Sequence, residues 1–424
     1  MEEQTEEQQT AEQTEEQTEE QTDICIVGGG PAGMTLALLL LRSGARVTVV
    51  ERSSSLSREY RGEILQPGGL AVLDEIGVLK GATDRGAHVL ERFRLVEHGR
   101  VLMAFEYRKL QPPYNYLLSL PQAHLLAELL DRCQEFPGFR YLVARVNGLI
   151  REGGAVRGVY AKAHDVTYTV RGACVVAADG RHSQVRRLAG IDHVRQDVFD
   201  QDVVWFRLPA EEPLGEVMVN RAGGNPVLAY DSHPGALQMG WTLPKGEWKK
   251  LAPLGIGEVR RRIAAATPQF ADRVEGTLHS FADVSLLDVF GAAAERWTGD
   301  GLVLIGDAAH THGPLGAQGI NLAVQDAALL HPILLAAVAD GDMSAGRLAE
   351  FERIRRPHIN AVMKFQAVQS RMMLSADSLA TFLRPKLARV VMRTPIGTKF
   401  TNRIAFGAPG IRVADNLFTV NQKE

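Results

Sequence analysis

Three short motifs carry residue types that can hold a nucleotide-like cofactor. Gly28-Gly29-Gly30-Pro31-Ala32-Gly33 stands near the start, Asp179-Gly180-Arg181-His182-Ser183-Gln184-Val185-Arg186 in the middle, and Gly306-Asp307-Ala308-Ala309-His310 late, followed by Pro314, Gly316, Gly319 and Asn321. In the first, Asp23 to Val27 reads as a short buried strand. Gly28 permits a tight turn, Gly30 lets backbone approach a pyrophosphate, and Gly33 lets a helix pack on the strand. The helix, expected from Met34 to Arg42, offers N–H groups and a dipole to phosphates. A second strand, Arg46 to Val50, ends at Glu51 beside Arg52, where an acid can accept ribose hydroxyls. This fingerprint alone is compatible with NAD or FAD.

The elements around the later motifs read in the same way. Residues 173–178 form a run of small and β-branched residues that predicts a buried strand; Asp179-Gly180 turns the chain and Ser183 can cap the next helix. Leu302 to Ile305 predicts another buried strand. The segment from Gly313 to Gly319 leads into a helix from about Asn321 to Ala339, whose positive end would stabilise negative charge. Between Ile191 and Glu295 the texture changes to short strand-like runs, 202–208, 216–220, 226–230 and 236–243, split by Gly and Pro. That pattern suggests an antiparallel sheet, with residues 88–120 adding strands and 256–266 forming a basic amphipathic helix. Tyr230, Gln238 and Trp241 are the candidates for lining a substrate pocket, alternation allowing only about half of such positions to face inward.

Taken together and in this order, the three motifs resemble the single-component FAD-dependent aromatic hydroxylases of the para-hydroxybenzoate hydroxylase type, from about Asp23 to Pro357. The resemblance implies an α/β fold: a Rossmann-like FAD-binding domain of the glutathione-reductase type, an antiparallel substrate sheet and C-terminal helices. The corresponding division is a disordered acidic tail over 1–22, an FAD domain from 23–87, 121–190 and 296–342, a substrate domain from 88–120 and 191–295, and a helical region over 343–424. The resemblance places Asp307 on the ribityl chain and Pro314 beside the isoalloxazine ring. It lets Gly316, Gly319, Ile320 and Asn321 approach that ring, and Arg61 lie near FAD and reductant, with Arg58 as a competitor. Gln122 is assigned to FAD, and Asp179 and Arg186 to the pyrophosphate region and nicotinamide docking. His312 is a candidate beside the ring, with Pro314 and Arg61 in the catalytic group.

The implied activity is monooxygenation. NADH or NADPH reduces non-covalent FAD, O2 forms a C4a-hydroperoxide, and one oxygen passes to an electron-rich phenolic or polycyclic aromatic molecule. The alternative is an FAD-dependent reductase or oxidase of a lipid or polyketide-like substrate, similar to geranylgeranyl reductases. A halogenase is disfavoured because its Trp-x-Trp-x-Ile-Pro signature is absent.

Composition narrows the setting. Cys25, Cys133 and Cys174 match no metal spacing and suggest a reducing, cytoplasmic compartment. His310-x-His312 lacks a third ligand, so no metal is expected. No zinc-finger or helix-turn-helix pattern points to nucleic acid, and the apolar run Leu36 to Leu41 is too short for an integral membrane segment. Residues 1–22 hold nine Glu and no basic residue, while 378–414 hold seven Arg/Lys and no acid, leaving that stretch a possible peripheral contact.

Overall fold

The computed structural model describes residues 16–56, 62–196, 201–221, 225–374, 402, 404–407 and 411–419. Arg58, Arg61 and most of the basic stretch 378–414 lie outside the described residues.

A six-stranded sheet positions the three motifs. Its order is Thr298–Gly299, Leu302–Leu304, Cys174–Ala177, Ile24–Val27, Val47–Glu51, Phe139–Val143, and every neighbour pair is parallel except the first. The four inner strands are fully buried, which is why they read as largely apolar runs. Each motif begins where one of three adjacent strands ends: Gly28 after Val27, Asp179 after Ala177 and Gly306 just past Leu304. Residues as far apart in sequence as Gly28 and Gly306 therefore meet at one carboxyl edge, the place where open parallel sheets bind ligands.

The first helix is Pro31–Arg42, starting three residues before the expected Met34 because Pro31 suits the first helical position. It packs against the apolar helix Gly319–Asp340. By length and composition that second helix could cross a membrane, but most of it is enclosed by its neighbours, as a core helix is.

The substrate sheet has seven strands in the order Ser285–Leu287, Gln201–Pro209, Ala236–Pro244, Val227–Ser232, Glu216–Arg221, Arg92–Glu97, Arg100–Glu106. Its neighbours are antiparallel except where Glu216–Arg221 pairs in parallel with Arg92–Glu97, the junction of two segments far apart in sequence. One face buries Val204, Phe206, Met239 and Trp241 against the helices Ile256–Ala266 and Ala271–Thr277. The other face presents Val203, Trp205, Leu228, Gly240 and Thr242 to a cavity. A Cβ at Gly240 would lie 2.9 Å from the Trp205 ring, so glycine there leaves room for the indole.

One expectation is corrected. The acidic tail is not disordered through residue 22: Glu16–Gln21 is a strand, paired in parallel with Val166–Arg171 on the edge of a further four-stranded sheet. Thr22 fastens its end, its amide donating to Arg171 O at 2.9 Å and its hydroxyl to Arg46 O at 2.8 Å. A Glu/Gln/Thr repeat buries little apolar surface, but an edge strand is held by main-chain hydrogen bonds that composition does not count. The three cysteines are buried and free.

Candidate active site

Two cavities meet at the carboxyl edge of the six-stranded sheet. One, of about 480 Å³, runs from Gly30, Pro31 and Ala32 at the start of the first helix past Gln122, Arg181 and Asp307 to Gly319 and Ile320. The other, of about 230 Å³, is walled by the substrate sheet and by Phe105, Leu117, Phe365 and Ile404. Ile64, Trp205, Leu228, Pro314 and Ala317 line both, so the seam between the cavities is where a planar ring in the first would face a molecule in the second.

The glycine motif is shaped as its residue types require. Gly28 has φ +109°, and a Cβ there would fall 2.4 Å from Ala178 O; at Gly33 it would fall 2.0 Å from Gly28 O. Glu51 braces the turn: its Oε2 accepts from Gly29 N at 2.7 Å and its Oε1 from Ser53 N at 3.1 Å. Glu51 and the exposed Arg52 are not among the residues lining the larger cavity. Gln122 is, at the first turn of Gln122–Gln134, and its buried Oε1 has no protein partner among the described residues.

Asp179 and Arg186 are framework groups. Asp179 accepts from Ser183 Oγ, from Gln184 N at 2.7 Å and from Val185 N at 3.0 Å, capping the short helix Gln184–Leu188. Burial nonetheless raises its carboxyl above the usual range. Arg186 is 4% exposed and donates to Ala308 O at 2.8 Å and Arg181 O at 3.2 Å, tying the middle motif to the late one. Both ends of the Arg186 guanidinium are committed inside the protein, and its expected part in nicotinamide docking is a matter for substitution. Arg181 is the arginine of this motif that lines the cavity, its Nε 3.7 Å from Asp307 Oδ2.

The late motif carries a buried polar chain. Arg355 Nε donates to Asp326 Oδ1 at 2.7 Å, and Asp326 Oδ2 accepts from His310 Nε2 at 2.7 Å and from Gly306 N at 2.8 Å. His310 Nδ1 lies 3.2 Å from His312 Nε2, and His312 lines the larger cavity with its Nδ1 unpartnered among the described residues. Partners His310 and Arg355 overcome burial and hold Asp326 down to about 2. Burial, then the neighbouring His310, lowers His312 to about 4, so it is neutral at pH 7. Among the described residues no group of His, Cys, Asp and Glu could hold a metal.

The loop from Gly313 to Gln318 has its carbonyls tied back by amide side chains. Gln366 Nε2 donates to Gly313 O at 3.1 Å and Leu315 O at 2.7 Å, Gln66 Nε2 to Gly316 O at 2.9 Å, and Asn321 Nδ2 to Ala317 O at 2.6 Å. Asn321 thus braces the loop from behind. The first N–H groups of Gly319–Asp340, without intrahelical acceptors, lie at the cavity end of the helix where Gly319 and Ile320 form the wall.

Of the pocket candidates, Tyr230 lines the larger cavity, not the apolar one. Gln238 and Trp241 line neither, and both assignments are corrected. Trp241 points to the helix-covered face, one residue out of phase with Gly240 and Thr242. Gln238 is held within the sheet by Arg207 Nε at 2.9 Å and by donating to Phe206 O at 3.2 Å. Trp205, Leu228, Tyr107 and Gln66 were missed. The alternation of Val203, Trp205 and Arg207 against Val204, Phe206 and Leu208 would have singled out Trp205 had the covered face been known.

Residues 21–366 match the FAD binding domain family, and the chain belongs to it. It is 54% identical over 397 residues to the 6-methylpretetramide 4-monooxygenase of Streptomyces rimosus, a match covering 93% of this chain and 95% of that one. It is 27% identical to the protoasukamycin 4-monooxygenase of Streptomyces nodosus subsp. asukaensis, over 81% of this chain and 86% of the relative. Among solved structures, PqsL of Pseudomonas aeruginosa, described as a probable FAD-dependent monooxygenase, superposes with a TM-score of 0.72 at 25% identity, over 88% of this chain and all of that one. The anhydrotetracycline hydroxylase OxyS of Streptomyces rimosus shares the fold, with a TM-score of 0.74 at 24% identity over 93% of this chain and 77% of that one. The protein is an FAD-dependent aromatic monooxygenase of the class that takes its electrons from NAD(P)H.

Proposed function

We propose that the protein hydroxylates a polycyclic aromatic polyketide of the kind named for its Streptomyces rimosus relative, 6-methylpretetramide. The observation that carries this reading is the apolar cavity sharing Ile64, Trp205, Leu228, Pro314 and Ala317 with the larger cleft. The relatives named above are monooxygenases, which favours oxygenation over the lipid-reductase alternative.

FAD fits the larger cleft because its wall combines the phosphate-binding start of a helix, an acid at Asp307 and a second helix start at Gly319. Bound there without a covalent link, it supplies the oxygen-activating chemistry of the reaction. Gly30 and Ala32 would take the pyrophosphate, Asp307 the ribityl hydroxyls, and Gln122 Oε1 a hydroxyl or N–H of the cofactor. The first turn of Gly319–Asp340 would meet developing negative charge on the ring with fixed N–H groups. Pro314 sits at the seam, excluding water from the reacting faces. His312 presents an uncharged ring to the same cleft. Free buried cysteines support placing the protein in the cytoplasm.

The test is aerobic turnover of FAD-loaded protein with NADH or NADPH and 6-methylpretetramide. A product heavier by one oxygen, formed with reductant consumption, is expected. Reductant consumption that no aromatic polyketide stimulates, with no oxygenated product, would overturn the reading.

A further inference from the structure

The smaller cavity is without charge. None of the described residues lining it is Asp, Glu, Lys, Arg or His. A carboxylate or ammonium entering it would lose its water and gain no counter-charge, which opposes binding strongly. Outside the Trp205 indole, three side chains with hydrogen-bonding groups line it: Gln66, Tyr107 and Thr242. Thr242 Oγ1 donates its hydrogen to Pro226 O at 2.8 Å.

Gln66 and Tyr107 form one unit with a fixed direction. Gly316 O can only accept, so the nitrogen of the Gln66 amide must face it, at 2.9 Å, and Oε1 must face Tyr107. The Tyr107 hydroxyl therefore donates its hydrogen to Gln66 Oε1, at 3.2 Å. Both residues are buried, at 5% and 3% exposure. Burial also pushes the Tyr107 phenol up, which keeps that hydrogen in place at neutral pH. The Tyr107 oxygen is left with lone pairs to offer and no hydrogen to give. Gln66 is itself anchored, its main-chain N–H donating to Asn321 Oδ1 at 2.8 Å. The acceptor is thus built into the same frame that shapes the loop of Pro314.

We propose that the cavity selects an uncharged polycyclic aromatic, and that Tyr107 is a specificity residue accepting a hydrogen bond from a hydroxyl or amide N–H of that substrate. The inference rests on the monooxygenase reading of the same site.

The test uses FAD-loaded protein at pH 7 and three probes: 2-naphthol, 6-hydroxy-2-naphthoate and 2-methoxynaphthalene. Binding is followed by perturbation of the flavin absorbance and, independently, by each probe's protection against thermal unfolding. The carboxylate is expected to bind at least ~30-fold more weakly than 2-naphthol. Tyr107→Phe keeps the ring and should weaken 2-naphthol about tenfold, with 2-methoxynaphthalene changed by less than about twofold. Equal binding of 2-naphthol and the carboxylate, equal weakening of both neutral probes, or no binding by either neutral probe would overturn the proposal. The wild-type comparison stands even if Tyr107→Phe fails to fold. Selective binding of 2-naphthol by a protein that oxygenates no aromatic would sink the monooxygenase reading alone. Oxygenation with a preference for the carboxylate would sink this one alone.

Discussion

His310 and Asp326 are hydrogen-bonded at 2.7 Å with neither side chain reaching solvent. The same carboxylate pairs with the equally buried Arg355 and holds the amide of Gly306, whose φ of +58° begins the late motif. One acid therefore fixes a turn, a histidine and the long helix Ala345–Leu374.

Asp326→Asn should destabilise the protein by about 3–5 kcal/mol, because it leaves the Arg355 charge buried without its partner. Thermal unfolding of variant and wild type, each saturated with FAD, checks this. A change below ~1 kcal/mol would mean that the pair is not the anchor described.

Stability should fall as pH drops from about 6.5 to about 4. His312 and His331 are buried, and burial lowers each to about 4. Over that window the unfolded chain binds more protons, so each residue contributes a slope of up to ~1.4 kcal/mol per pH unit. Asp326 acts lower down: its contribution is complete above the ordinary carboxyl range and is lost as pH falls through about 2. His331 is remote from the cavities and bonded to Ser43 Oγ at 2.8 Å, so His331→Gln should flatten the upper slope selectively. Chemical denaturation at pH 7, 6 and 5 measures it.

Gly30→Val and Asp307→Ala should each lower FAD occupancy about tenfold or more while the chain stays folded. Gly30 lines the cleft with φ −84°, so valine is permitted by the backbone and excluded by the ligand. Flavin absorbance per protein after gel filtration reads the outcome, and full occupancy of Gly30→Val would displace the cofactor from this cleft.

Arg186→Ala should cost about 2–4 kcal/mol of stability through the lost bonds to Ala308 O and Arg181 O. Anaerobic stopped-flow reduction compares it with Arg181→Ala. Arg181→Ala is expected to weaken reductant affinity more, and the opposite ranking would make Arg186 the docking arginine.

The phase of the substrate sheet is testable with two tryptophans. Trp205→Phe should raise KM for the aromatic substrate, whereas Trp241→Phe should lower stability and leave KM within about twofold, because the two indoles point to opposite faces.

The α/β organisation and the meeting of the three motifs were legible because buried parallel strands and obligatory glycines leave short, dense signals. Gly28 and Gly33 could be placed from the sequence since no other residue fits their surroundings. The pocket was not legible, because alternation fixes which residues share a face but not which face is covered. Tyr107 was invisible for another reason: it lies on a short 3-10 turn, Tyr107–Lys109, and acquires its role from Gln66, 41 residues earlier. Residues 16–22 misled because their partner, Val166–Arg171, is remote in sequence.

The three cysteines gain a meaning beside an oxygen-activating cofactor. Thiolates, not thiols, are the species that oxidants attack. Burial pushes Cys25 and Cys174 up to about 12 and raises Cys133 further. At neutral pH they are therefore held as thiols. The protein keeps its thiols chemically silent although Cys25 and Cys174 sit on strands that lead into the cofactor motifs, so oxidative wear should fall first on other side chains.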